Sequence, residues 1–159
     1  MKRQTIKSIL ELQRPLSQHF KTVTHEEVPR TLRWFDDQRL ENSWCLTMEE
    51  QLTLLNNVSS SLYEDWFVQI ESGAIPVLSD DMVHRLSILV GIHKALEILA
   101  PDNRPDYALR WFLTPNDSAS YAGRSIKAYL LANNTLEGFR TVEAYLVDAV
   151  NGFLGGAYS

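Results

Sequence analysis

The chain has 159 residues, of which 45% are hydrophobic, and a formal net charge of −5 at pH 7. This hydrophobic fraction is sufficient for a folded core and unlike that of disordered chains. The acidic balance argues against general binding to polyanions, and a single cysteine, Cys45, excludes an internal disulfide framework. The lack of a disulfide framework favours an intracellular, cytoplasmic protein. Because no apolar run approaches about 18 residues, we expect no membrane contact.

Residues 1–40 are predicted to form an N-terminal basic arm followed by a first helix. The arm is amphipathic, and its positive charges include Lys2, Arg3 and Lys7. Positive side chains are unfavourable in the first turn of a helix, so this segment is expected to be loose or to dock on another surface. The apolar spacing predicts the helix over residues 30–40.

Two short helices are predicted next, joined by a tight polar turn. Thr47 and Glu50 have the spacing of a capping box, in which each side chain satisfies a backbone amide of the other residue. Asn56 and Asn57 interrupt this helix, and Ser59 to Ser61 start the next one, which we expect to end at Gly73. A pair of this size is typical of a helix-turn-helix.

The longest helix is predicted to run from a cap at Ser79 to about Leu99. Its apolar face is so wide that we expect it to be the central, mostly buried helix of the fold. The remaining positions form a narrow polar stripe, which consists of His84, Ser87, Gly91, Lys94 and Glu97.

The C-terminal part is predicted to consist of short helices and one final long helix. Pro105 opens a short helix that Pro115 stops, and a second short helix is expected over residues 125–132. The last helix is predicted from about Leu136, and glycines after Phe153 are expected to dissolve it into a mobile tail. The chain is therefore predicted to be all-α, a compact multi-helix domain with segment boundaries at 1–40, 41–100 and 101–159.

No constellation of residues typical of catalysis is found. None of the four histidines pairs with a cysteine or another histidine at metal-ligand spacing, and the carboxylate pairs are adjacent, so they point to different helix faces. The sequence has no glycine-rich phosphate loop and no nucleophile motif. Cys45 is expected to be a buried structural thiol. We therefore expect no enzymatic activity, no metal and no cofactor.

The charge of the helix-turn-helix region argues against a DNA-reading role. Between Leu40 and His84 there is no Lys or Arg, whereas the same span holds eight carboxylates. Carboxylates facing phosphates reduce affinity rather than adding to it. If the region does bind DNA, the neutral contacts would come from Ser59, Ser60, Ser61, Tyr63 and Gln69, and non-specific attraction would come from Lys2, Arg3 and Lys7 in the arm.

The order of segments from about Leu46 onward resembles the Xre/MbcA/ParS antitoxin family. The similar stretches are LTMEEQLTLLNNVSSSLYEDWF, LSDDMVHRLSILVGIHKALEIL and ALRWFLTPNDSASYAGRSIKAYLLANN, followed by a closing amphipathic helix. The family's Trp-Leu-x-x-Pro-Asn pattern is similar to Trp111–Asn116, and its Gly-Gly-[Arg/Lys]-[Ser/Thr]-Pro pattern is similar to 122–126. Within 122–126, Ala122 replaces the first Gly of the family pattern and Ile126 replaces the Pro.

The resemblance implies an Xre-like helix-turn-helix followed by a toxin-binding domain. It implies an antitoxin that homodimerises, represses its own operon and occludes a toxin of the RES type, which destroys NAD, or a related ADP-ribosyltransferase. The alternative is a dimeric helix-turn-helix regulator of transcription acting on operator DNA. Trp111 and Phe112 are expected to belong to the core. The expected toxin-binding residues are Asn116, Gly123, Arg124, Phe153, Tyr158 and Ser159.

Overall fold

The fold is known from a computed structural model that describes residues 19–104, 106–116 and 123–157, the last three of these by their backbone alone. These residues contain no β-strand, which confirms the all-α prediction. The α-helices are α1 Val28–Asp36, α2 Met48–Leu54, α3 Ser60–Glu71, α4 Asp80–Leu99, α5 Tyr107–Leu113, α6 Ile126–Ala132 and α7 Leu136–Ala157. Two 3₁₀ helices, His25–Glu27 and Asp37–Arg39, flank α1.

Several helices begin where local hydrogen bonds place them. The Thr47 hydroxyl accepts the amide of Glu50 at 3.0 Å, and the Glu50 carboxylate accepts the amide of Thr47 at 2.9 Å. Ser59, Ser79 and Ser125 likewise accept an amide from the first turn of α3, α4 and α6. These contacts satisfy amides that would otherwise lack a partner. The predicted capping box and the predicted serine caps of α3 and α4 are confirmed.

Helix α4 is the centre of the fold, as its wide apolar face predicts. It packs against α7, α5 and α1. One continuous cluster of buried apolar side chains contains members from all three predicted segments, including Leu32, Leu89 and Leu146. The segment boundaries at residues 40 and 100 stay a prediction.

Part of the polar stripe predicted on α4 is buried, contrary to expectation. A Cβ added to Gly91 would overlap with the ring of Phe20, and Ser87 is buried with its hydroxyl accepting the amide of Val23 at 2.8 Å. The covering segment, His19–Val23, lies more than 60 residues earlier in the chain. We call this segment the strap. It hides the stripe because Gly91 leaves room for the Phe20 ring and the Ser87 hydroxyl accepts a backbone amide.

A charged side chain, Arg85, is buried inside the fold, with 2% of its surface exposed. Its Nε donates to Asp81 at 2.7 Å, and Nη1 donates to the Leu54 carbonyl at 3.2 Å and to Asn134 Oδ1 at 2.5 Å. Nη2 donates to the Asn134 carbonyl, and the guanidinium lies 5.0 Å from the ring centroid of Phe139. Arg85 therefore joins α4, the end of α2 and the start of α7.

A cluster of aromatic rings joins α1, α4 and α5. Trp44 stacks on Phe112 with ring centroids 3.9 Å apart, and Trp34 meets Trp44 edge-on at 5.5 Å. The ring of His93 lies 5.4 Å from Trp34 and 6.0 Å from Trp44. Burial lowers the pKa of His93 below its ordinary value, whereas the nearby Glu97 carboxylate opposes this shift. The cluster confirms that Phe112 belongs to the core.

Two further expectations were wrong for reasons of backbone geometry. Cys45 is exposed rather than buried, because its backbone has a φ of +55° and its neighbour Trp44 takes the buried position. The first helix ends at Asp36 instead of continuing to Leu40, since a 3₁₀ turn follows and Leu40 is extended and 56% exposed.

Helix α7 continues beyond the position at which we expected it to end. It runs to Ala157 through Gly152, Gly155 and Gly156. Each glycine costs a helix about 1 kcal/mol relative to Ala. The buried Val150 and Leu154 indicate that packing on the core offsets this cost, because tertiary contacts supply most of the stability of helices in proteins.

We expect Arg85→Met to lower the free energy of unfolding by on the order of 3 kcal/mol, measured by urea denaturation. The variant leaves the carbonyls of Leu54 and Asn134 without their donor inside the fold. Arg110→Met is the matched control, because Arg110 is exposed and its pair with Asp106 spans 3.6 Å. It should change stability by no more than about 0.5 kcal/mol. Equal effects of the two variants would contradict the structural role of Arg85.

We expect stability to fall in mild acid because of His93. The unfolded chain takes up a proton at this imidazole as the pH falls through about 6.5, whereas the folded chain keeps it neutral until its lower pKa is reached. The contribution is thus present above the unfolded pKa and lost below it. His93→Gln should flatten the stability change between about pH 7.5 and about pH 5.5, and Glu97→Gln should steepen it.

The carboxyl of Glu27 affects stability at a lower pH than His93 does, so the contributions of the two residues can be distinguished. The hydrogen bond from the Thr24 backbone is the main cause that lowers the pKa of Glu27 to about 2. Its contribution is present above its ordinary pKa of 4.5 and is lost as the pH falls towards about 2. A His93→Gln protein with the same slope as the wild type above about pH 5 would show that His93 is not the cause.

Candidate functional site

Three of the six predicted partner-binding residues meet in one loop between α5 and α6. The Asn116 amide donates to the Arg124 carbonyl at 3.1 Å, which brings the two ends of the connection together. Gly123 has a φ of +76°, a left-handed conformation that strains other residues. Ser125 then caps α6. We call residues 114–116 and 123–125 the motif loop.

Arg124 is the charged side chain of the motif loop, and it faces outward. It is exposed, whereas Ser125 and Ile126 beside it are buried. Its guanidinium makes no ion pair with the residues that the structure describes. A planar guanidinium of this kind recognises carboxylate and phosphate groups with two parallel hydrogen bonds.

The aromatic residues before the motif loop attach it to the core. Phe112 is fully buried, and Trp111 is half-buried and packs against the core cluster. The Tyr107 ring meets Trp111 edge-on with centroids 5.6 Å apart. Thr114 and Pro115 are exposed at the end of α5. The Trp-Phe pair therefore attaches the loop to the core, as expected.

Phe153 lies on a different element, near the end of α7. Its side chain is 51% exposed, while Val150 and Leu154 on the same helix are buried. An exposed phenylalanine beside a buried stripe offers an aromatic contact to another molecule. Tyr158 and Ser159, the other predicted contacts, lie outside the described residues.

Tyr63, predicted as a neutral DNA contact, is buried, and this prediction was wrong. Its side chain is 2% exposed, and its hydroxyl donates to Asp36 at 3.1 Å. Burial is the main cause that raises the pKa of Tyr63 above its ordinary value. Helical spacing places Tyr63 with Trp66 and Ile70 on the inward face of α3. The residue therefore links α3 to the end of α1.

The outward face of α3 is acidic. Ser60 and Ser61 are exposed there together with Glu64 and Asp65. Gln69 donates to Asp65 at 2.8 Å, and the hydroxyl of Ser59 is used as the helix cap. The other residues predicted to attract DNA, Lys2, Arg3 and Lys7, lie outside the described residues.

A buried carboxylate, Glu143, was missed by the sequence reading. It is 2% exposed, and it accepts the Phe20 amide at 2.8 Å while His19 Nδ1 lies 3.1 Å away. Arg140 Nη1 donates to it at 3.3 Å. Its position was visible in the sequence, because it follows Phe139 by four residues on the apolar stripe of the last helix.

Glu143 borders a pocket of about 240 Å³ beneath the strap. The pocket is lined by His19, Phe20, Thr22, His84, Ser87, Ile88, Arg140 and Glu143. In the described ranges, no group of three or more His, Cys, Asp or Glu residues is placed to hold a metal ion. None of the helices in the described part of the chain has the length and apolar character needed to cross a membrane.

No family model, curated protein or solved structure matches this chain. The motifs themselves, and the positions that the fold gives to them, are therefore the basis for a functional hypothesis.

Proposed function

We propose that this protein is the antitoxin of a type II toxin–antitoxin system, which binds a cytoplasmic toxin and occludes its active site. The motif loop carries the proposal. It combines the sequence pattern that resembles the Xre/MbcA/ParS antitoxins with an outward-facing Arg124 on a supported backbone. The proposed toxin is of the RES type, which destroys NAD, or is a related ADP-ribosyltransferase. In keeping with the resemblance, we propose a homodimer.

Within the motif loop, the groups that hold the backbone in place are different from the group that is proposed to contact the toxin. The Asn116–Arg124 backbone hydrogen bond and the Ser125 cap hold the loop without using the guanidinium. An Arg held in this way loses less conformational freedom on binding than one on a flexible loop. A carboxylate near the mouth of the toxin's pocket would accept two parallel hydrogen bonds from this guanidinium.

Phe153 provides a second contact of a different chemical type. Truncation of a buried aromatic anchor at a protein interface commonly costs about 2 kcal/mol or more. Half of the Phe153 surface is available for burial, and the helix that carries it packs on the central helix α4. A partner that covers both residues gains one apolar and one charged anchor.

We expect Arg124→Ala and Phe153→Ala each to weaken binding to the toxin roughly thirtyfold, which corresponds to about 2 kcal/mol. Both residues are exposed, so melting temperatures should stay close to that of the wild type. The matched controls are Arg110→Ala and Val77→Ala, which remove an exposed arginine and an exposed apolar side chain elsewhere. The measurements are growth rescue and co-purification with the product of the neighbouring gene. The proposal is wrong if that product is not NAD-directed or does not co-purify.

Regulation of transcription is the alternative, and the two short helices α2 and α3 favour it. The acidic outward face of α3 argues against it, because phosphates repel Glu64 and Asp65. In a gel shift with DNA from upstream of its own gene, we expect weak or no specific binding. Deletion of residues 1–14 should remove most of what remains. Tight binding that survives this deletion would refute the charge argument.

A further inference from the structure

The strap crosses the groove between α4 and α7 and is held on both sides. On α4, the ring of Phe20 occupies the space above Gly91, where any Cβ would overlap with it. On α7, the Glu143 carboxylate accepts the Phe20 amide at 2.8 Å. Three residues later, the Val23 amide donates to Ser87 at 2.8 Å. These contacts specify an aromatic residue followed, three positions later, by a second backbone amide that donates to the groove.

The strap is attached at one end to a well-anchored part of the chain. Thr24 starts a 3₁₀ helix, with its amide and hydroxyl both donating to Glu27 Oε1 at 2.9 and 3.0 Å. Val28, at the start of α1, is 2% exposed. The chain is therefore fixed from Thr24 onward. The strap itself contributes only the half-buried Phe20 and Val23 to the packing.

Three of the five strap residues bury little surface, so releasing the strap costs little burial of its side chains. Lys21 and Thr22 are exposed, and the His19 side chain is 66% exposed, so these residues bury little surface. When the strap leaves, the Glu143 carboxylate becomes accessible to water and is not left buried without donors. The strap also lines a pocket of about 240 Å³ together with residues of α4 and α7. Segments with few buried contacts open locally, without global unfolding.

We propose that the strap is a detachable latch over a peptide-binding groove, whose resident ligand is the chain's own His19–Val23. The groove accepts a non-helical segment with an aromatic residue over Gly91 and backbone amides directed at Glu143 and Ser87. Because the strap directly follows the basic N-terminal arm in sequence, the latch couples that arm to α7. This coupling goes beyond the proposed antitoxin function and does not depend on it.

Hydrogen exchange of individual amides in the full-length protein tests the latch. The amides of Phe20 and Val23 should exchange at least about tenfold faster than core amides such as that of Ile92, which exchange through larger openings. Gly91→Ala should accelerate the two strap amides by a further factor of about ten, with the core amides unchanged. Gly152→Ala is the control, because a Cβ at this helical glycine meets open space.

A peptide experiment tests the groove by itself. A fluorescent peptide with the sequence of residues 19–27 should bind the full-length Phe20→Ala protein, whose own strap is weakened, more tightly than it binds the wild type. Adding Gly91→Ala to this protein should abolish the binding. Phe20→Ala also replaces Gly91→Ala in the exchange experiment if the latter fails to fold. The proposal is overturned if strap and core amides exchange at one rate, or if the peptide does not distinguish these proteins.

Discussion

The buried guanidinium of Arg85 is the interaction on which the arrangement of the helices depends. Moving a charged group out of water costs on the order of several kcal/mol, so such a group is retained only where donors and acceptors match. Arg85 meets this condition with the Asp81 carboxylate, two carbonyls and the Asn134 side chain. The Leu54 carbonyl lies at the end of α2 and Asn134 lies just before α7. A single side chain of α4 therefore sets the positions of two helix ends that are about 80 residues apart in sequence.

Helix α7 contacts the core, the strap and the solvent at different positions along its length. One face packs on α4 through residues such as Phe139 and Leu146. Glu143, on the border of this face, holds the strap, and Phe153 near the other end is exposed. The same helix thus carries the latch and one of the proposed contacts with the toxin. A latch on α7 gives the N-terminal arm a physical route to the helix that is proposed to bind the partner.

The motif loop and α3 expose side chains of opposite charge. In the loop, the Asn116–Arg124 backbone hydrogen bond and the Ser125 cap hold the backbone in place, and the Arg124 side chain stays exposed. On α3, the aromatic Tyr63 is directed inward, and Glu64 and Asp65 remain at the surface. The exposed chemistry is therefore basic at the loop and acidic on α3. This distribution argues against nucleic-acid binding at α3.

The sequence by itself determined which helices form and where most of them begin, because helix starts and apolar stripes depend on residues within about four positions of one another. The Thr47 capping box, the start of α7 and the burial of Phe112 were predictable in this way. Only the tertiary structure decided that Gly91 and Glu143 are covered by the strap, since that segment is 71 and 123 residues away from them in sequence. It also decided that α7 continues through its glycines, because burial of neighbouring apolar residues outweighs a local preference that the sequence alone expresses.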